Sequence, residues 1–262
     1  MDFEWIVVDD GSKDDTEEVI SKFKAEKLFP ITYIKQENGG KHRAHNKAVS
    51  VANGIFTICL DSDDALTENA VSRIKEIWSL NNDFQFAGIL ALRGDFVTKK
   101  ALSPRIPNKL CVSTLFDLYH RYNFSGDTAL FYVSKILKEF PFREFSDERF
   151  LSEISSYYII DNVKPLLLVD EILYLCEYLA DGLTAKFLKL LKNNPKGSAY
   201  SYYISFVNSR KIRHKLKYGI IFNAYMGLVK DKNELNPKSK SLVILATYLP
   251  GILYRVLRIN KI

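Results

Sequence analysis

Asp61, Asp63 and Asp64 crowd into the four residues Asp61-Ser62-Asp63-Asp64, directly after the apolar run Ile55-Phe56-Thr57-Ile58-Cys59. Like charges at that spacing repel one another, and a strand end tolerates them best with a compensating cation. Carboxylate oxygens favour a hard divalent ion such as Mg²⁺ or Mn²⁺, shared with substrate phosphates rather than caged by protein. In open α/β sheets, ligands gather at the carboxyl ends of strands, where acids that follow an apolar run would lie. A solvated acidic turn capping a helix that begins near Thr67 is the plainer reading of the same residues. A calcium loop of the EF-hand kind is excluded, because its glycine position falls at Leu66 and its bidentate glutamate at Ser72.

A second acidic pair, Asp9-Asp10, follows Trp5-Ile6-Val7-Val8, a short apolar run that reads as a central parallel strand. The turn Gly11-Ser12 leads into a helix with Asp15 at its N-cap, Glu18 in capping-box position, and Val19, Ile20 and Phe23 as its apolar stripe. Residues 31–34 alternate as the next strand. Asn38-Gly39-Gly40 is a flexible loop, and a helix over 41–53 turns Ala44, Ala48, Val51 and Ala52 inward before Gly54 stops it. A strand over 55–60 carries the acidic cluster, and the helix after it places Val71, Ile74, Ile77 and Trp78 on one face. Further on, 86–92 and 128–133 read as strands, 112–122 and 150–158 as helices, and 166–169 and 172–175 as extended. Strands alternating with helices across short loops predict a doubly wound α/β sheet. Asp181-Gly182 then breaks the chain before a mostly helical tail.

An apolar fraction of 47% and a charged fraction of 26% over 262 residues suit a soluble α/β domain with an appendage. Cys59, Cys111 and Cys176 stand far apart in apolar stretches, which predicts reduced, buried thiols and no disulfide frame or zinc site. Met1-Asp2-Phe3-Glu4-Trp5 lacks a basic, apolar leader, so a cytoplasmic location is expected. The net charge of +6 hides an asymmetry. From Lys186 onward sixteen Lys/Arg face two acids, whereas the first 185 residues hold 21 basic and 29 acidic side chains. The division expected is a body over 1–184 and a basic helical region over 185–262. Apolar residues interleaved with the charges favour an anionic membrane leaflet over nucleic acid as the tail's target. The thirteen uncharged residues 242–254 fall short of the roughly 20 needed to span a bilayer. Helices packed on the body with a solvated basic face are an equal alternative.

Taken together, Val7-Val8-Asp9-Asp10-Gly11-Ser12, Asn38-Gly39-Gly40-Lys41 and Leu60-Asp61-Ser62-Asp63-Asp64 resemble the family 2 glycosyltransferases. Gly126-Asp127-Thr128-Ala129, the segment Glu148-Arg149-Phe150-Leu151-Ser152-Glu153, and residues 177–184 agree with that resemblance. It covers roughly residues 3–180, and implies a GT-A fold: Rossmann-like, a mostly parallel sheet flanked by helices. It also implies the activity of bacterial members that build capsule, O-antigen or teichoic-type glycans from nucleotide sugars. A metal-assisted, inverting transfer from a UDP-sugar to a glycan or lipid-linked acceptor hydroxyl is the expectation.

Carried over residue by residue, Asp10 would accept a hydrogen bond from the donor's base, a role that suits an acceptor-only carboxylate. Asp9 and Asp127 would also face the donor. Gly39 and Gly40 would let the backbone approach the nucleotide, with Lys41 near its phosphates or simply solvated. Asp63 would hold the metal together with Asp61, which would contact the ribose or a metal-bound water, and Asp64 would contact the sugar or support the metal-holding residues from behind. Glu153 would be the general base, with Asp147 and Glu148 as rivals. His42 and His45, one helical turn apart, read as surface residues. The family's first strand and helix have no counterpart before Trp5. Hence the competing expectation is a truncated, inactive remnant or a non-catalytic membrane-bound partner, since each buried backbone group left unpaired costs about 1–3 kcal/mol. A nucleotidyltransferase would want an early glycine-rich basic phosphate loop, which is absent.

Overall fold

The structure, a computed structural model, describes residues 2–81, 85–176, 187–235 and 241–262. The segment 177–184, and with it the expected boundary at 184/185, lies outside the described residues. Two compact units form. The first takes Met1–Glu37, Ala44–Pro141 and Ile160–Leu179, and the second takes Asn38–Arg43, Phe142–Ile159 and Ala180–Ile262.

In chain order the elements are β1 (Trp5–Asp9), α1 (Thr16–Glu26), β2 (Ile31–Lys35), α2 (Lys41–Val51), β3 (Phe56–Thr57), β4 (Ala65–Leu66) and α3 (Ala70–Leu80). They continue with β5 (Gly88–Asp95), β6 (Val112–Ser113), α4 (Leu115–His120), β7 (Thr128–Val133), α5 (Ser134–Glu139), α6 (Ile154–Ile160) and β8 (Leu166–Cys176). Among the described residues there follow the α-helices α7 (Phe187–Asn193), α8 (Pro195–Asn208), α9 (Ile212–Met226), α10 (Leu242–Ala246) and α11 (Tyr248–Leu257).

In the first unit β1 and β2 pair in parallel, from Trp5 opposite Ile31 to Asp9 opposite Lys35. A separate mixed sheet runs β3-β7-β5-β8-β4, with β6 also on β8. Its centre is the parallel pair β5–β8, and β7 lies antiparallel to β5. The residues Gly88 to Leu92 of β5 are all buried, as a strand covered on both faces requires. Ala70, Ile74, Ile77 and Trp78 of α3 pack on Ile89, Ala91, Phe131, Leu167 and Leu173 to make the core. Gly88 is needed there, since a Cβ on it would lie 2.2 Å from Phe131 O.

Several expectations give way to non-local forces. Asp15 occupies the N-cap of α1 with φ −81° and ψ 16°, not the extended backbone from which a side chain caps, and makes no capping bond. Asp14 takes over, accepting from Thr16 N at 3.2 Å and Thr16 Oγ1 at 2.5 Å, while Glu18 pairs with Lys22. Val19 and Phe23 are exposed, and only Ile20 of that stripe is buried. The inward face of α2 is turned: His42 and Val49 are buried, as is Ala52 just after it, whereas Val51 is exposed. The strand over 55–60 contracts to β3, because the chain then leaves for β4 on the opposite edge.

The helix expected over 112–122 splits into β6 and α4. Thr114 caps α4 by accepting from Asp117 N, and Asp161 accepts from Leu115 N and Phe116 N. Burial lifts the Asp161 carboxyl to about 6 despite those donors. The two extended pieces over 166–175 form one strand, β8, whose register shifts against β5 between Leu90 and Arg93. Asp170-Glu171 interrupts the apolar run there, with Glu171 bound to Arg73 of α3. Of the three thiols Cys176 is buried, Cys59 half-buried and Cys111 exposed, so the expectation of three buried cysteines fails at Cys111.

In the second unit α8 and α9 join through stacked tyrosines. Tyr202 lies 5.7 Å from Tyr225 at 8° between planes and 6.3 Å from Tyr218.

Candidate functional site

The first unit holds Asp9, Asp10, Asp61, Asp63, Asp64 and Asp127. Asp9 closes β1 and is buried. Its carboxylate accepts from Tyr33 Oη at 2.6 Å and from Ser12 N at 2.6 Å. The tyrosine bond, helped by Ser12 and opposed by burial, holds the Asp9 carboxyl down at about 2. That engagement makes Asp9 the brace of the β1 turn. Asp10 points differently and accepts from Gln36 Nε2 at 2.7 Å. A carboxylate has about four acceptor positions, so orientation by Gln36 is compatible with a further N–H donor.

Asp61 to Asp64 form a tight turn closed by Asp64 N donating to Asp61 O at 3.1 Å. Its far end is β4, which pairs with β8 at Tyr174 and Leu175. Tyr174 therefore stands beside the turn. Its hydroxyl donates to Asp64 Oδ2 at 2.5 Å and accepts from Asp61 N at 3.2 Å. Burial raises the Asp64 carboxyl above the usual aspartate range, partly offset by the tyrosine bond. The Arg93 guanidinium lies 4.3 Å above the Tyr174 ring, and its Nε donates to Thr128 O at 3.1 Å. Its charge is felt by Asp127 and Asp61. The structure thus groups Asp61, Asp64 and Asp127 around Arg93 and Tyr174, at the carboxyl ends of β5 and β8. Asp63 is exposed on the same turn.

Arg93 and Tyr174 escaped sequence reasoning. Each sits in a strand as an ordinary member, and only the pairing of β4 and β5 with β8 gives it a role.

Gly40, Lys41 and Glu153 belong to the second unit. Gly40 has φ +96°, and a Cβ on it would lie 1.8 Å from Arg149 O, so glycine is required. Lys41 Nζ lies 3.0 Å from Glu153 Oε1, just before α6. The lysine expected near phosphates thus has a carboxylate partner within its own unit. Arg43 reinforces this corner with a hydrogen bond to Phe145 O. His42 is buried, which corrects the expectation of a surface histidine.

The rivals for Glu153 are fixed elsewhere. Asp147 bonds Lys196 Nζ at 2.8 Å. Glu148 is 5% exposed and accepts from Lys196 N at 2.6 Å and Gly197 N at 2.7 Å, in the first turn of α8. Burial pushes its carboxyl above the ordinary glutamate value despite those donors. Asn194, at the N-cap of α8, makes no capping bond because its Oδ1 accepts from Arg149 N and Phe150 N. The exchange clamps the segment leading to Glu153 onto α8. Replacing Glu148 by alanine strips two buried N–H groups and a carboxylate at a helix N-terminus, an expected loss of about 2–4 kcal/mol. Chemical denaturation measures it, and a change below about 0.5 kcal/mol, the surface-substitution range, would refute the clamp.

No group of three or more His, Cys, Asp or Glu side chains among the described residues forms a ready-made metal cage. The donor set at Asp61 and Asp63 nonetheless fits Mg²⁺ or Mn²⁺. Such ions are usually held by one or two carboxylates with substrate phosphates and water completing the shell.

Comparison with known proteins bears on the family and the fold. The family model described as glycosyl transferase family 2 matches residues 1–137. The chain is 36% identical over 78 residues to the uncharacterized glycosyltransferase MG060 homolog of Mycoplasma pneumoniae, covering 29% of this chain and 26% of that protein. It is 30% identical over 70 residues to the poly(ribitol-phosphate) beta-N-acetylglucosaminyltransferase TarS of Staphylococcus aureus, covering 27% and 12%. The matches thus span about a quarter or less of those relatives. The crystal structure of S. aureus TarS 1–349 in complex with UDP-GlcNAc has the same fold, with a TM-score of 0.55 over 97% of this chain and 83% of that one at 15% identity. The α/β fold of GT-A type expected from the motifs is therefore the fold observed. More than half of the chain, including Asp9, Asp10, Asp61, Asp63, Asp64 and Asp127, lies within the family model, and the protein belongs to glycosyl transferase family 2.

Proposed function

We propose that the protein moves a sugar from a nucleotide-diphospho-sugar, a UDP-sugar by preference, to the hydroxyl of a glycan or lipid-linked acceptor with inversion, in the synthesis of cell-surface polysaccharide. The observation that carries this reading is the family match over residues 1–137, which takes in both acidic strand-end turns. TarS supports it, being named for N-acetylglucosaminyl transfer to poly(ribitol-phosphate) and solved with UDP-GlcNAc.

In this reading Asp10, oriented by Gln36, accepts the N–H of the uracil ring. Asp61 and Asp64 face the ribose and sugar, with Tyr174 holding both ends of their turn. Asp127 contributes to the same donor-facing group through Arg93. Asp63, with Asp61, would hold Mg²⁺ or Mn²⁺, which when bound offsets charge on the departing diphosphate. Glu153, positioned by Lys41, takes the proton of the acceptor hydroxyl as its oxygen attacks the anomeric carbon opposite the leaving diphosphate. A single displacement inverts that carbon.

The test is the anomeric configuration of the product formed from an α-linked UDP-sugar, read by NMR of the purified glycan. A β-linked product is expected. An α-linked product would eliminate the single displacement and Glu153 as its base.

A further inference from the structure

α10 and α11 act as nearly one helix, since Thr247 between them donates through its N–H to Val243 O and Gly251 N donates to Thr247 O. Pro250 falls in the first turn of α11, where its missing N–H costs little. This helix is mounted in an unusual sense. It packs on α9 by its small and polar side: a Cβ on Gly251 would lie 2.6 Å from Asn223 Cβ, and one on Gly219 would lie 2.7 Å from Thr247 Oγ1. Asn223 Nδ2 completes the seam by donating to Thr247 Oγ1 at 3.0 Å. The opposite side carries Leu242, Leu245, Leu249 and Leu253, exposed at 81%, 73%, 73% and 59%. Spacings of three and four residues put them on one face, and Val256 and Leu257 extend it, also exposed.

A continuous leucine face turned to water is a binding surface awaiting an apolar partner. Charge decides which. The seam runs Thr247–Gly219, Gly251–Asn223 and Arg255–Gly227, so α11 and α9 run in the same direction. The start of α9 therefore lies toward the α10 end. It presents exposed Lys211, Arg213 and Lys217 around exposed Ile212 and Leu216, while Arg258 and Lys261 stand exposed at the far end. A second copy would set basic surface against basic surface, a costly match, since residues 186–262 carry sixteen Lys/Arg and two acids. An anionic lipid surface satisfies both the leucines and the charges. Among the described residues no helix is long and apolar enough to cross a membrane.

We propose that α10–α11 lie in the plane of an anionic phospholipid leaflet, leucine face inserted, with the basic ends of α9 and α11 on the headgroups. The proposal is independent of the donor chemistry.

Flotation of the full chain with vesicles of phosphatidylglycerol and phosphatidylcholine, against phosphatidylcholine alone, is the test. Light scattering of the lipid-free protein and circular dichroism accompany it. The wild type is expected to float with the anionic vesicles and to remain behind with the neutral ones. The double variant Leu249→Glu, Leu253→Glu, which alters only exposed side chains, should keep its helical signal and lose at least about 30-fold in partitioning. Equal flotation of variant and wild type, or none by the wild type, would overturn the proposal. So would a lipid-free dimer that the same variant dissociates, which would assign the face to a second copy.

Discussion

Replacing Glu153 by glutamine is expected to slow sugar transfer by roughly 10²–10⁴-fold, the usual value of a general base, and to leave UDP binding unchanged. Glutamine keeps the shape and can still accept a bond from Lys41, which lies 3.0 Å from the carboxylate, so the local fold survives. What it loses is the capacity to take a proton. The neighbouring acids are engaged with α8. Asp147 is bound to Lys196, and both oxygens of Glu148 accept from the first turn of α8. Single-turnover assays separate this chemistry from donor binding. If Glu153→Gln retained more than about a tenth of the wild-type rate, well above the range for a lost general base, another group would have to be the base.

The elements written by local pattern were legible in the sequence. The apolar run before Asp9, the alternation of β2, the 128–133 strand and the α3 stripe of Ile74, Ile77 and Trp78 all appear where spacing puts them. So does the acidic turn, because three carboxylates in four residues need no tertiary knowledge to notice. What escaped depends on distant partners. β4 and β6 are two residues long and exist only because β8 pairs with them, so no periodicity announces them. Tyr174 is 110 residues from Asp64, and Lys41 is far in sequence from Glu153. Glu148 read as a possible base because a sequence cannot show that α8 delivers two N–H groups to it. His42 misled for the same reason: the side of α2 that is buried is set by what packs on it.

The most direct test of the central claim, a metal-dependent nucleotide-sugar site built on the 61–64 turn, is calorimetry of UDP with and without Mn²⁺. Asp63 is exposed on a turn whose two ends are held by Tyr174, so Asp63→Ala removes a donor oxygen without disturbing a buried contact. Loss of groups that merely support metal ligands costs about 10–100-fold, so loss of a ligand itself should cost at least about 100-fold. The wild type should bind UDP tightly only when Mn²⁺ is present, and Asp63→Ala should abolish that dependence. Mn²⁺-dependent UDP binding of undiminished affinity in Asp63→Ala would contradict the account.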